Sequence, residues 1–126
     1  MTIELNHTIV NARDKRASAA FLAELLGVAV GADDGPFVPV PLENSVTLDF
    51  MARDDDFTLQ HYAFLVDAAT FEAAYQRMQD KGVTIFADPF LEEPDELYVE
   101  DGMRGFYFRD LDGHTMELLM KVRTDT

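Results

Sequence analysis

Apolar positions recur along this chain at two spacings, every second residue and every third or fourth, and the order in which the spacings alternate predicts the elements. Residues 3–10, IELNHTIV, read as a strand. Residues 17–28, ASAAFLAELLGV, read as a helix, because Ala17, Ala20, Phe21 and Leu25 fall at helical spacing and Gly27 stands where a C-terminal cap belongs. Short β-like runs follow at VAV (28–30), FVPV (37–40) and SVTLDFM (45–51), separated by Gly, Asp, Asn and Pro turn residues. After the polar link ARDDDF (52–57) the order restarts. LQHYAFLV (59–66) reads as a strand, and ATFEAAYQRMQDKGV (69–83) as a helix with Phe71, Ala74, Tyr75 and Met78 on one core-facing stripe. TIF (84–86), GFYFRD (105–110) and HTMELLM (114–120) complete the second half as strands. The expectation is one α+β domain, 1–126, made of two β-α-β-β-β half-repeats at about 1–54 and 58–122.

The register of the two halves agrees. His7 stands 20 positions before Gly27 and His61 stands 21 before Gly82, so each half opens on a strand histidine at nearly the same distance from its helix-ending glycine. Each half also closes on a strand carboxylate, Asp49 in VTLDFM and Glu117 in TMELLM. His7 to Asp49 is 42 positions and His61 to Glu117 is 56; the segment ADPFLEEPDELYVEDG (87–102) absorbs the excess as an added loop. Strand alternation sets Thr115, Glu117 and Leu119 on one face against Met116, Leu118 and Met120 on the other. Likewise Thr47, Asp49 and Met51 oppose Val46, Leu48 and Phe50, and His61 opposes Tyr62 and Phe64. The more apolar faces suit the helices, which leaves the carboxylates and His61 on the uncovered, concave side of each sheet. A carboxylate on a largely apolar strand needs a compensating partner, and Glu117 is the residue that raises the question.

Composition narrows the classes of partner. Ten Lys plus Arg stand against twenty-four Asp plus Glu, a formal net charge of −14, which repels nucleic-acid phosphates and anionic membrane surfaces. The 48% hydrophobic and 27% charged content is that of an ordinary globular domain. With no cysteine there is no disulfide, no thiolate metal site and no cysteine nucleophile, in keeping with a reducing compartment. MTIELNHTIV lacks the basic and apolar regions of a signal peptide, and no stretch approaches the roughly 20 apolar residues of a membrane helix, so a soluble cytoplasmic protein is expected.

Two strand histidines and one or two strand carboxylates suit a divalent first-row metal ion, with Fe, Mn, Ni and Zn all compatible, and such a set leaves coordination positions open for substrate or water. Metal coordination would also compensate Glu117. The paired half-repeats, His7 and His61 opening them, and above all FYFRDLDGHTMELL (106–119) resemble the vicinal oxygen chelate superfamily, which includes glyoxalase I, extradiol dioxygenases, fosfomycin resistance enzymes and bleomycin-binding proteins. The resemblance covers almost the whole chain and implies a curled mixed sheet of the glyoxalase-like open-barrel kind. It implies that His7, His61 and Glu117 match metal-ligand positions, and that Asp49 stands where glyoxalase I uses a glutamate as fourth ligand. Aspartate is one methylene shorter, so Asp49 is open to direct ligation, water-mediated ligation or a plain polar role. Without it, His7, His61 and Glu117 make a two-histidine, one-carboxylate triad. His114, opposite Glu117 by alternation, is assigned a structural role.

Around this set, Tyr107 is a candidate catalytic residue, as proton donor or oxyanion contact, alongside Glu117. Arg104 is a candidate contact for a substrate anion. In the segment 88–101, Phe90, Leu91, Leu97 and Tyr98 are candidate substrate contacts on a pocket wall or lid. The family assembles its site either within one chain or from two, and a homodimer is expected for so short a chain. The functional expectation is a metal-dependent enzyme of the glyoxalase, lyase or dioxygenase type acting on a small oxygenated metabolite. Glyoxalase I itself is disfavoured by Asp49, and fosfomycin-type transfer by the acidic balance without a basic cluster. The alternative is a metal-free protein of the bleomycin-binding type that sequesters an antibiotic in an acidic, aromatic groove.

Overall fold

The computed structural model describes residues 2–122, and the chain divides into two compact units, Met1–Thr58 and Leu59–Thr126. The first unit contains β1 (His7–Ala12), α1 (Lys15–Leu26), β2 (Phe37–Pro41) and β3 (Thr47–Ala52). Asp14 starts α1 by accepting the Ala17 N–H at 3.1 Å. Gly27 ends it in the left-handed region at φ 77°, where the Val28 N–H turns back to the Ala23 carbonyl at 2.9 Å. The sheet order is β1-β3-β2, with β3 parallel to β1 and antiparallel to β2. Val10, Ala12, Val38, Val40, Leu48 and Phe50 are buried together with Leu22, Leu25 and Leu26 of α1.

The first helix forms where the spacing predicts it, and one strand expectation for this unit is corrected. The buried stripe of α1 is Ser18, Ala19, Leu22, Ala23, Leu25 and Leu26, while Ala17 and Ala20 are exposed. Three leucines carry far more apolar area than the alanines, and they set which face turns inward. The run VAV forms no strand. The outer edge of β2 is formed by Phe37, Pro39 and Pro41, two of which have no N–H to give, and among the described residues that edge makes, beyond the Asp34–Phe37 bridge, a bond from Gly31 N–H to the Pro39 carbonyl, at 2.8 Å. The first half is therefore β-α-β-β, one strand short of the expected repeat.

The second unit contains β4 (His61–Leu65), α2 (Ala68–Lys81), β5 (Tyr98–Glu100), β6 (Met103–Arg109) and β7 (Thr115–Lys121), in sheet order β4-β7-β6-β5. Asp67 caps α2 by accepting the Thr70 N–H at 2.8 Å, and Gly82 ends it in the left-handed region. Phe71, Ala74 and Met78 of α2 are buried as the periodicity predicts, and the Phe71 ring meets Phe106 edge-on at 5.3 Å between centroids. Phe64, Phe108, Met116 and Leu118 bury the same face of the sheet. TIF forms no full strand: Phe86 makes an isolated bridge to Tyr107 through a reciprocal pair of backbone bonds, each 2.8 Å. The added segment, expected as loop throughout, contains β5, because Tyr98 and Val99 have strong strand propensity that the flanking acids mask in the sequence.

Among the described residues the strands thus form two mixed sheets, one of three strands in the first unit and one of four in the second. Among the described residues no helix is long and apolar enough to cross a membrane.

Candidate active site

Glu117 lies in β7, hydrogen-bonded in the middle of its sheet between β4 and β6. Its register partners are Ala63 and Tyr107, so its side chain shares a face with His61, Ala63 and Tyr107, away from the face that carries Phe64, Phe106 and Leu118. The residue is only 8% exposed. His61 Nε2 is 2.9 Å from Oε1, while the Tyr98 hydroxyl donates to Oε2. With Glu117 ionised, Nε2 carries the proton of that contact. His61 is the more open member of the pair, its side chain 46% exposed.

Aromatic rings complete this cluster. Tyr107 is buried, its ring 5.7 Å from that of His61 and 5.5 Å from that of Tyr98, centroid to centroid. Burial first, and then the Glu117 hydrogen bond and charge, push the Tyr98 phenol well above its ordinary value. Burial, followed by the Glu117 charge, raises that of Tyr107 as well. Both phenols are therefore neutral proton donors at any working pH. This arrangement depends on Gly105, the β6 residue opposite Tyr98. A Cβ there would overlap the Tyr98 hydroxyl and ring and come within 2.6 Å of the Leu118 carbonyl oxygen. Gly105 and the Tyr98–Glu117 contact were not anticipated from the sequence. The available signal was a glycine isolated in an aromatic strand, which marks a place where another group approaches closely.

The other candidates fall elsewhere. Arg104 points to the helix side, pairing with Glu72 at 3.1 Å with its guanidinium 5.1 Å from the Phe71 ring centre, and is not gathered with Glu117. Phe90 is 78% exposed, and Leu91 and Leu97 are half-buried. The segment holding them is ordered by Asp88, whose Oδ1 accepts the N–H groups of Glu92 and Glu93 at 2.9 and 2.8 Å. His114 is fully buried and accepts the Gln60 N–H at Nδ1, 3.0 Å, a structural bond. Asp110 supports the same turn, accepting the N–H groups of Asp112 and His114 at 3.0 and 2.9 Å, and burial raises its carboxyl above the ordinary range.

In the first unit, His7 and Asp49 share the sheet face that α1 does not cover, His7 opposite Thr47 and Asp49 opposite Ile9. Asp49 is buried, while His7 is exposed with Nδ1 2.8 Å from Asn6 Oδ1. Each unit therefore presents one imidazole and one carboxylate on its uncovered face, and these donor types fit a divalent first-row ion. Among the described residues, no three His, Asp or Glu side chains are gathered to hold an ion. Glu117 engages His61 and Tyr98.

The family model for the glyoxalase/bleomycin resistance protein/dioxygenase superfamily matches residues 4–118. The glutathione transferase FosA of Serratia marcescens is 32% identical, the match covering 94% of this chain and 81% of that protein. The solved structure of the oxidase ChaP-H2 is 47% identical with a TM-score of 0.92, covering 96% of this chain and 95% of that one. That of the oxidase ChaP-H1 is 45% identical with a TM-score of 0.92, covering 95% and 97%.

Proposed function

Because the chain belongs to the glyoxalase/bleomycin resistance protein/dioxygenase superfamily, we propose that it is a metal-dependent enzyme of the oxidase or dioxygenase type that acts on a small oxygenated metabolite. The observation that carries this reading is the His61–Glu117 pair, 2.9 Å apart on the uncovered sheet face and backed by two neutral phenols. The proposed metal ligands are His7, His61 and Glu117, with Asp49 as a further or water-bridged donor. When bound, a divalent ion would supply Lewis acidity to paired substrate oxygens and, if redox-active, a route for dioxygen to react with them. Tyr107, a buried neutral phenol beside His61, would donate a hydrogen bond or a proton to a substrate oxygen as charge develops on it. Glu117 would hold the reacting end of the site in place.

Oxygen chemistry is preferred over glutathione transfer on two grounds. The oxidases are the more similar relatives, at 47% and 45% identity against 32%. Arg16, Arg53 and Arg104 are each paired with a carboxylate, and the net charge is −14, a poor setting for an anionic phosphonate. The same reading proposes a homodimer, in which Ile9 and Leu65, large apolar side chains exposed on the uncovered faces, would be covered. The test is a paired assay on Fe(II)-, Mn(II)- and Ni(II)-loaded protein, with dioxygen uptake against a panel of vicinally oxygenated aromatics in one arm and glutathione consumption against an epoxide in the other. Chelator-sensitive dioxygen uptake is expected; glutathione consumption without dioxygen uptake would overturn the assignment.

A further inference from the structure

We propose that Tyr98 is a positioning residue for the metal ligand Glu117, and that the added segment 87–102 and Gly105 together serve to place it; this rests on the reading of Glu117 as a ligand. Tyr98 belongs to the edge strand β5, two strands away from Glu117 in the order β7-β6-β5. Its ring reaches β7 by crossing β6 at Gly105, the one position of that strand without a side chain, where a Cβ would overlap the ring. The hydroxyl then donates to Oε2, leaving Oε1 beside His61 Nε2. A carboxylate held in this way presents a single oxygen to a cation, in a fixed rotamer, next to the imidazole nitrogen that would bind with it. Without the phenol, Oε2 loses that donor and is left able to reach the cation as well.

Hydrogen bonds of this outer kind fix ligand orientation, and their removal weakens metal affinity by about 10- to 100-fold. The test uses Co(II) as probe, with affinity from titration and geometry from the visible absorption of the saturated protein. Tyr98→Phe keeps the ring over Gly105 and removes only the hydroxyl; thermal melting of the metal-free variant controls for folding. The expected result is weaker binding by that factor and a changed visible spectrum at saturation, the latter being a change that a merely packing role would not produce. Gly105→Ala, which displaces the ring, should reproduce both. If wild type binds Co(II) and Tyr98→Phe matches it in affinity and spectrum, the positioning role is wrong while the metal reading stands. If wild type binds no Co(II), both fall.

Discussion

Replacing Gly105 by alanine adds a methyl group where the Tyr98 ring and the Leu118 carbonyl already lie, the latter within 2.6 Å of the new carbon. The Leu118 oxygen belongs to the β7 backbone, paired with β6, and cannot yield without disturbing that pairing. Overpacking of this kind costs about 2 kcal/mol. Displacing Tyr98 also removes its hydrogen bond to a charged acceptor, about 1.5 kcal/mol at the low end of the usual range because Tyr98 is half-buried. The better strand behaviour of alanine returns about 0.7 kcal/mol. The net loss is about 3 kcal/mol, and at roughly 4 °C per kcal/mol for a domain of this size the melting temperature falls by about 12 °C. Calorimetry of the metal-free protein measures it. In a Tyr98→Ala background the overlap with the Tyr98 ring is gone and the one with the Leu118 carbonyl stays, so the cost of Gly105→Ala should shrink by about 1 kcal/mol or more. A Gly105→Ala protein as stable as wild type, or the same cost in both backgrounds, would refute the account of why this position is glycine.

Three further outcomes follow from the same geometry. Asp110→Ala should lose about 2 kcal/mol of stability, since two backbone donors in a buried turn lose their acceptor, whereas Asp110→Asn, which retains Oδ1 and removes a charge that burial disfavours, should lose much less in urea unfolding. Tyr98 has a phenol pKa raised in the folded state, so its contribution is fully present below the ordinary value of about 10 and is lost as pH rises beyond it, because the unfolded chain releases the proton first; the stability gap between wild type and Tyr98→Phe should narrow above that pH in alkaline unfolding curves. Arg104→Ala should cost less than about 1 kcal/mol, as expected for a partly exposed ion pair, and should leave KM for any identified substrate unchanged, an altered KM being evidence that Arg104 contacts it after all.

Strand alternation made much of this site legible before the fold was known. It set Glu117 and His61 on one face and Phe64, Met116 and Leu118 on the other, and it separated His114 from the cluster, because side-chain period in a strand is fixed by the backbone. What it could not convey were facts that depend on edges and crossings. The missing strand at VAV follows from prolines on a neighbouring strand, visible only once Pro39 and Pro41 are known to face outward. The presence of β5 follows from pairing with β6, which rescues a short run among acids. Arg104 looked free to meet a substrate because nothing in the sequence announces Glu72 on α2, 32 positions earlier, as its partner. Tyr98 stood out in the sequence as a candidate substrate contact and not as a partner of Glu117, since the link runs across an intervening strand through the space that Gly105 leaves.

Metal analysis by mass spectrometry of protein purified without chelator tests most directly whether Glu117 is a metal ligand. A stoichiometric divalent ion in the wild type, lost in a folded Glu117→Ala variant, is the predicted result. Absence of the ion from wild type, or its undiminished retention in Glu117→Ala, would contradict it.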